Sequence, residues 1–163
     1  MTIVEWCHWL QSTPFSTGMR QSDYLFPLIE GSHILALSFS VGLIVMLDLR
    51  LLRLAFPGEP VSRIMHQMMP WAVPGFAVMM LTGALLFVAQ AEKAYVNSFF
   101  RAKMILLVLA GLNALYYQVK FYPKMAEWDT SRSVPAGAKL VSVLSLALWA
   151  CVIALGRTMA YEL

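Results

Sequence analysis

The chain has 163 residues, 60% of them hydrophobic and 13% charged, and a mean hydropathy of +0.67. That charge share is about half of what a soluble domain carries. It excludes a water-soluble globular fold and leaves room for one compact membrane domain, with no soluble catalytic domain in its connections. The net charge of +3 forms no basic stripe, so it fits Lys and Arg flanking membrane spans and not a nucleic-acid partner.

The first residues, Met1-Thr-Ile-Val-Glu5-Trp-Cys-His-Trp9, lack a positive n-region, a long apolar core and a small-x-small cleavage site. Insertion is therefore expected to rely on the first spanning helix and not on a cleaved signal. Ile3, Val4, Trp6, Trp9 and Leu10 recur at helical spacing, with Glu5, His8 and Gln11 on other faces. This predicts a short helix over about residues 2–12, lying at a membrane interface with its tryptophans at headgroup level and stopped by Pro14. Cys7 and Cys151 are far apart and form no CxxC or CxxCH motif, which gives no support to a disulfide framework, a structural zinc site or covalent haem attachment.

About 20 apolar residues are needed to cross a bilayer, and four segments meet that length: 25–52, 70–90, 100–121 and 138–157. The predicted fold class is all-α, an integral membrane four-helix bundle with a short N-terminal interfacial helix. The domain is single and covers residues 1–163. Pro27 sits in the first turn of span one, where no N–H donor is needed. Span two opens with Pro70-Trp71-Ala-Val-Pro74-Gly75, which predicts a kinked or irregular first turn, preceded by a separate interfacial turn over Val61–Met69. Asn97-Ser98 reads as the cap of span three, which ends at Tyr122-Pro123. Span four follows the turn-rich Ser131-Arg-Ser-Val-Pro-Ala-Gly137.

Four spans place both termini and the 2–3 loop on one side, with Arg20, Lys93, Arg101, Lys103 and Arg157. The side of the 1–2 and 3–4 loops has Arg50, Arg53, Arg63, Lys120, Lys124, Arg132 and Lys139. The excess of positive charge on the loop side predicts that the loops face the cytoplasm and the termini the periplasm of a bacterial inner membrane.

Span one carries three ionisable residues, Glu30, His33 and Asp48, each costing roughly 2.5–3.5 kcal/mol near a bilayer centre if unpartnered. At about 100° per residue they share a stripe with Leu37, Ser40 and Ile44, while Gly31, Ala36, Ser38 and Gly42 leave adjoining faces open to close helix approach. Depth separates them into two groups. Glu30 and His33 lie toward the termini, level with Gln90, Glu92, Arg101, Lys103, Met104, Arg157 and Met159, and a Glu30–Lys103 ion pair is the simplest arrangement. Asn113 joins Glu30, His33 and Lys103 in the expected polar cluster; with Ser40, Thr82 and Ser145 it is available for hydrogen bonds across the bundle at mid-depth. Asp48 lies about 20 Å or more away, beside Arg50 and Arg53, where a membrane-edge ion pair is expected, with the arginines snorkelling to lipid headgroups.

His33 admits three roles: a neutral structural histidine, an axial ligand of a b-type haem held between helices, or a metal or proton-relay partner of Glu30. Glu30-x-x-His33 is one copy of a motif that carboxylate-bridged di-metal bundles use twice. His66 lies on the opposite side, about 30 Å away along the normal, so a haem ligand pair would join His33 to His8 or to a methionine such as Met104. Copper is the weaker candidate: Met65, Met68, Met69, Met79 and Met80 follow an amphipathic face and packed core and lack the close Met-x-Met repeats of copper-binding segments.

The run Trp9-Leu10, Arg20-Gln-Ser22, Leu25-Phe-Pro-Leu-Ile-Glu30-Gly-Ser-His33, Val41-Gly42 and Asp48-Leu-Arg-Leu-Leu52, with Phe76, Thr82-Gly-Ala-Leu-Leu-Phe87, Asn97, Phe100-Arg-Ala-Lys103 and Asn113, resembles an uncharacterised bacterial family of small four-helix membrane proteins. That family in turn is distantly similar in architecture to the copper-resistance D type of membrane domain. The resemblance covers nearly the whole chain, implies an inner-membrane location and singles out Glu30, His33, Asp48, Arg50, Lys103 and Asn113; it implies no activity. Two function classes follow from the residues. One is a haem- or metal-binding electron-transfer module built on His33. The other is a non-catalytic subunit of a larger membrane complex, with a membrane protein or a second copy as partner. An ion or small-solute transporter is a third, served by a thin central path of polar residues.

Overall fold

The computed structural model describes residues 2–129, 134–159 and 161, and every regular element among them is helical. In chain order these are α1 (Ile3–Ser12), α2 (Pro14–Gln21), α3 (Leu25–Leu51), α4 (Val61–Ala89), α5 (Ala91–Val96), α6 (Ser98–Lys120), a 3-10 turn at Tyr122–Lys124, α7 (Met125–Trp128) and α8 (Ala136–Met159). Four stretches, Leu25–Leu51, Val61–Ala89, Ser98–Trp128 and Ala136–Met159, are long and apolar enough to cross a membrane.

Thr2 and Glu5 form a reciprocal capping box that starts α1: Thr2 N–H donates to Glu5 Oε2 at 2.8 Å, and Glu5 N–H to Thr2 Oγ1 at 3.2 Å. Pro14 ends that helix but also opens the next. Thr13 Oγ1 accepts from Ser16 N–H at 3.3 Å, and Pro14 occupies the first helical position of α2, where its missing N–H costs nothing. Ser16, fully buried, then donates to the Val88 carbonyl at 3.0 Å and fastens α2 to the end of α4.

Val61–Met69 is not a separate turn. It is the first third of α4, which runs unbroken through Pro70 and Pro74 for 29 residues, about 43 Å. The two prolines remove donors to the carbonyls of His66 and Pro70, both exposed. Burial of Val61, Ile64 and Met65 among Leu47, Leu51, Tyr117, Met125, Trp128, Val134, Ala138 and Val141 supplies the packing that extends the helix past its prolines. The start of α4 has no cap of its own; Asp129, at the end of α7, provides it, accepting from Ser62 N–H at 3.0 Å and from the Ser62 hydroxyl. A carboxylate at a helix N-terminus also opposes the positive end of the helix dipole.

Asn97 caps α6 as its sequence signals, with Oδ1 accepting from the N–H groups of Phe99 and Phe100 at 2.9 and 3.1 Å. At its other end α3 closes with Arg53 in the left-handed region (φ 63°), where Arg53 N–H bonds Arg50 O at 3.0 Å and Leu54 N–H bonds Leu49 O at 2.9 Å. Glycine is the usual occupant of such a cap. The turn expected over 131–137 falls partly outside the described residues, as does Arg132.

α3 pairs most extensively with α4 and α8, and α8 with α6, whereas α4 and α6 meet only through side chains. α3 and α4 come close together where Gly75 faces Ser40: a Cβ on Gly75 would collide with Ser40 Oγ. Along α8 the buried residues Ala138, Val141, Ser142, Ser145, Leu148, Trp149 and Val152 keep a three-four spacing, the signature of a helix covered along one stripe. A second apolar cluster of Val41, Met79, Ala110, Leu148, Trp149 and Val152 fills the middle of the bundle, with Phe76 and Trp149 rings 5.5 Å apart. Of the two cysteines, Cys7 is enclosed and Cys151 is exposed on α8.

Candidate functional site

Two groups of polar side chains sit inside the bundle, one near the termini and one near the loops. The first is built around His33. Its Nδ1 lies 3.0 Å from the Met79 carbonyl and 3.1 Å from Thr82 Oγ1, while Thr82 itself donates to Val78 O at 2.7 Å. A carbonyl can only accept, so Nδ1 carries the hydrogen and Nε2 the lone pair of the neutral ring. The ring rests over Gly83, where a Cβ would stand 3.0 Å from His33 Cε1. His33 thus clamps α3 to α4, and the absence of a side chain at Gly83 makes the clamp possible.

Lys103 approaches from α6. Its ammonium passes over Gly156 of α8, 3.3 Å from where a Cβ would be, and lies within electrostatic reach of His33. Glu30 does not join them. It is exposed, and no described residue forms an ion pair with it. The Glu30–Lys103 pair is therefore not formed: Glu30 sits about one and a half turns inside the start of α3 and is exposed there. Asn113 stands about 15 Å further along α6 than Lys103, and its Nδ2 donates to Val141 O at 3.0 Å, joining α6 to α8.

His8 is on α1, exposed, with Nδ1 3.3 Å from Glu92 Oε2 on α5; beside it Gln11 Oε1 accepts from Glu92 N–H at 3.0 Å. These contacts moor the N-terminal helices to the 2–3 connection and engage His8 away from His33. Met104 is 42% exposed on α6. Among the described residues no three of His, Cys, Asp and Glu gather as a metal-binding group, which leaves Glu30 and His33 as a pair without further carboxylate or imidazole donors. His66 is exposed at the loop end of α4.

The second group differs from the expected ion pair. Asp48 and Arg50 are both buried, at 6% and 5% exposure, but no ion pair joins them. Residues two apart on a helix diverge by about 200°. Arg50 turns to the α3–α4 connection, where Nε donates to Glu59 O at 2.6 Å, and its Nη1 is buried without a partner. Asp48 turns inward to the hydroxyls of Ser142 and Ser145 on α8, and its charge reaches Tyr117 on α6. Asp48 Oδ2 and Tyr117 OH are both buried with no hydrogen-bond partner, as is Ser40 Oγ at mid-bundle. Arg63 pairs instead with Glu59 on the surface at 2.8 Å.

Ser142, Tyr117 and the Ser62–Asp129 cap are polar residues not expected above. Ser142 and Ser145, three apart on an otherwise apolar span, and Asn113 and Tyr117, four apart on another, are the patterns that carry the information.

The chain matches the model of a family of unknown function (DUF6644) over residues 25–162 and belongs to that family. No curated protein and no solved structure matches it.

Proposed function

We propose that this member of the DUF6644 family is a non-catalytic module of a larger assembly in a bacterial inner membrane, with its termini on the periplasmic side. The observation that carries this reading is the outward face of α6. Ile105, Val108, Leu112, Leu115 and Val119 are all exposed and spaced three, four, three and four apart, and α6 is the least enclosed of the four long helices. That spacing is the seam by which one helix packs along another over several turns. The interior polar groups support the same reading: His33, Asn113 and Ser16 each make hydrogen bonds between helices, so their role is to fix a rigid unit that presents this seam. A photo-crosslinking residue at Leu112 should give one discrete protein adduct in native membranes, and the same residue at exposed Val73 on α4 should not. Lipid adducts alone at Leu112 would refute the reading.

The geometry of one residue favours a second reading. Because Nδ1 of His33 is committed to Met79 O, Nε2 is the free, basic nitrogen, the arrangement by which a histidine is oriented toward iron or another metal. In that reading His33 is an axial ligand of b-type haem in an electron-transfer module, and the second ligand is Met104, or His8 once released from Glu92. Purified protein would then show a Soret band that His33→Ala abolishes; a colourless protein with the same fold would exclude it.

A further inference from the structure

We propose that Asp48, Tyr117, Ser142 and Ser145 form a site for a dehydrated monovalent cation of the sodium class, held where α3, α6 and α8 converge at the loop end of the bundle. Each of these side chains is more than nine-tenths buried: Asp48 is 6% exposed, Tyr117 7%, Ser142 0% and Ser145 8%. Leu47 and Leu51 of α3, Tyr117 of α6, and Ala138 and Val141 of α8 belong to one packed cluster, so the three helices meet here independently of the polar contacts.

The hydrogen-bond inventory leaves oxygen lone pairs in excess. Asp48 Oδ2 and Tyr117 OH have no partner. Ser142 Oγ lies 3.1 Å from Ala138 O of its own helix and, like Ser145, also hydrogen-bonds the Asp48 carboxylate, so its single hydrogen is shared between two acceptors while its lone pairs stay available. Buried polar atoms left in this way call for a water, an ion or a functional role.

The charge environment points the same way. Asp48 lies in the last turn of α3 and Tyr117 in the last turn of α6. Both helices therefore direct the negative ends of their dipoles toward this point, an unfavourable place for a carboxylate and a favourable one for a cation. Asp129 adds a second carboxylate whose charge reaches Tyr117. Arg50 is turned about 200° away toward Glu59 and does not neutralise Asp48. A set made only of carboxylate, hydroxyl and phenol oxygens selects hard cations and not soft ones. A single coordinating carboxylate balances one positive charge, whereas divalent ions recruit more carboxylates or retain several waters. The inference goes beyond the assembly reading and does not depend on it.

The test is thermal unfolding of the purified full chain in detergent, in sodium chloride against choline chloride at equal ionic strength. Sodium should raise the midpoint along a saturable curve, Asp48→Asn should abolish that rise, and Ser145→Ala and Tyr117→Phe should each move half-saturation at least tenfold higher. The last two remove one oxygen with little change in volume, so they remain informative if Asp48→Asn fails to fold. Equal midpoints in the two salts, or a sodium response that survives unchanged in both conservative variants, would overturn the proposal.

Discussion

Replacing Gly75 by alanine places a methyl group against Ser40 in the α3–α4 contact. The new carbon would overlap Ser40 Oγ, while standing 3.4 Å from Phe39 Cδ1 and 3.5 Å from Ser40 Cβ, both ordinary contacts. Ser40 is 0% exposed, so relief of the overlap requires its hydroxyl to turn to another rotamer inside the packed interface or the helices to move apart. Overpacking of this kind costs about 1–3 kcal/mol. The clash is with the hydroxyl alone, and that hydroxyl is itself buried without a hydrogen-bond partner, a state that costs about 1–3 kcal/mol. Ser40→Ala should therefore be neutral or stabilising by about 1 kcal/mol. The double variant should return close to the parent, because the remaining separation of 3.5 Å suits two methyl groups. Unfolding of the two single variants and the double variant in mixed micelles, followed by far-ultraviolet circular dichroism, should give a coupling of about 1–3 kcal/mol. Additive single effects would show that Ser40 and Gly75 do not meet.

His33→Ala removes the α3–α4 clamp and should destabilise the bundle by about 0.6–1.7 kcal/mol, the range of hydrogen bonds between membrane helices, measured by the same unfolding assay. Asn113→Ala leaves a buried position without its bond to Val141 and should cost about 1–2 kcal/mol by that assay, with hydrogen exchange rising along the α6–α8 contact. Asp129→Ala removes the side-chain cap of α4 and should cost about 1 kcal/mol, seen as faster amide exchange over Ser62–Met65. His8→Ala should leave the unfolding midpoint unchanged within error, since the His8–Glu92 pair is exposed on both sides and such pairs contribute little.

The four long helices are legible from apolar run length, because a segment that must satisfy its own backbone in hydrocarbon leaves an unmistakable composition. Local capping is legible too, as Asn97 illustrates, since the side chain and the backbone it caps are neighbours. Thr13-Pro14 carried the same kind of signal for α2, and reading the proline only as a stop hides its second role. The extent of α4 is another matter. Two prolines argue for a break at Pro70, and the opposing term is the burial of Val61, Ile64 and Met65 against α3, α6, α7 and α8, which no local window contains. The polar residues follow the same division. That His33 faces inward is visible in the helical stripe, but its partner is the Met79 carbonyl, and backbone atoms have no identity in a sequence. Asp48 and Arg50 look like a pair because they are close in the chain, whereas helix geometry sends them to different neighbours.

The two cysteines give the chain built-in probes for thiol chemistry. Cys7 is closed off where α1 packs against its neighbours, and Cys151 is exposed on α8 near the middle of a candidate span, away from the water that maleimide addition needs, so a maleimide should spare both while the fold is intact in a bilayer. Labelling at Cys7 then reports detachment of α1 from α5. Labelling at Cys151 reports that water has reached the outer face of α8. Both readouts are available without introducing a residue.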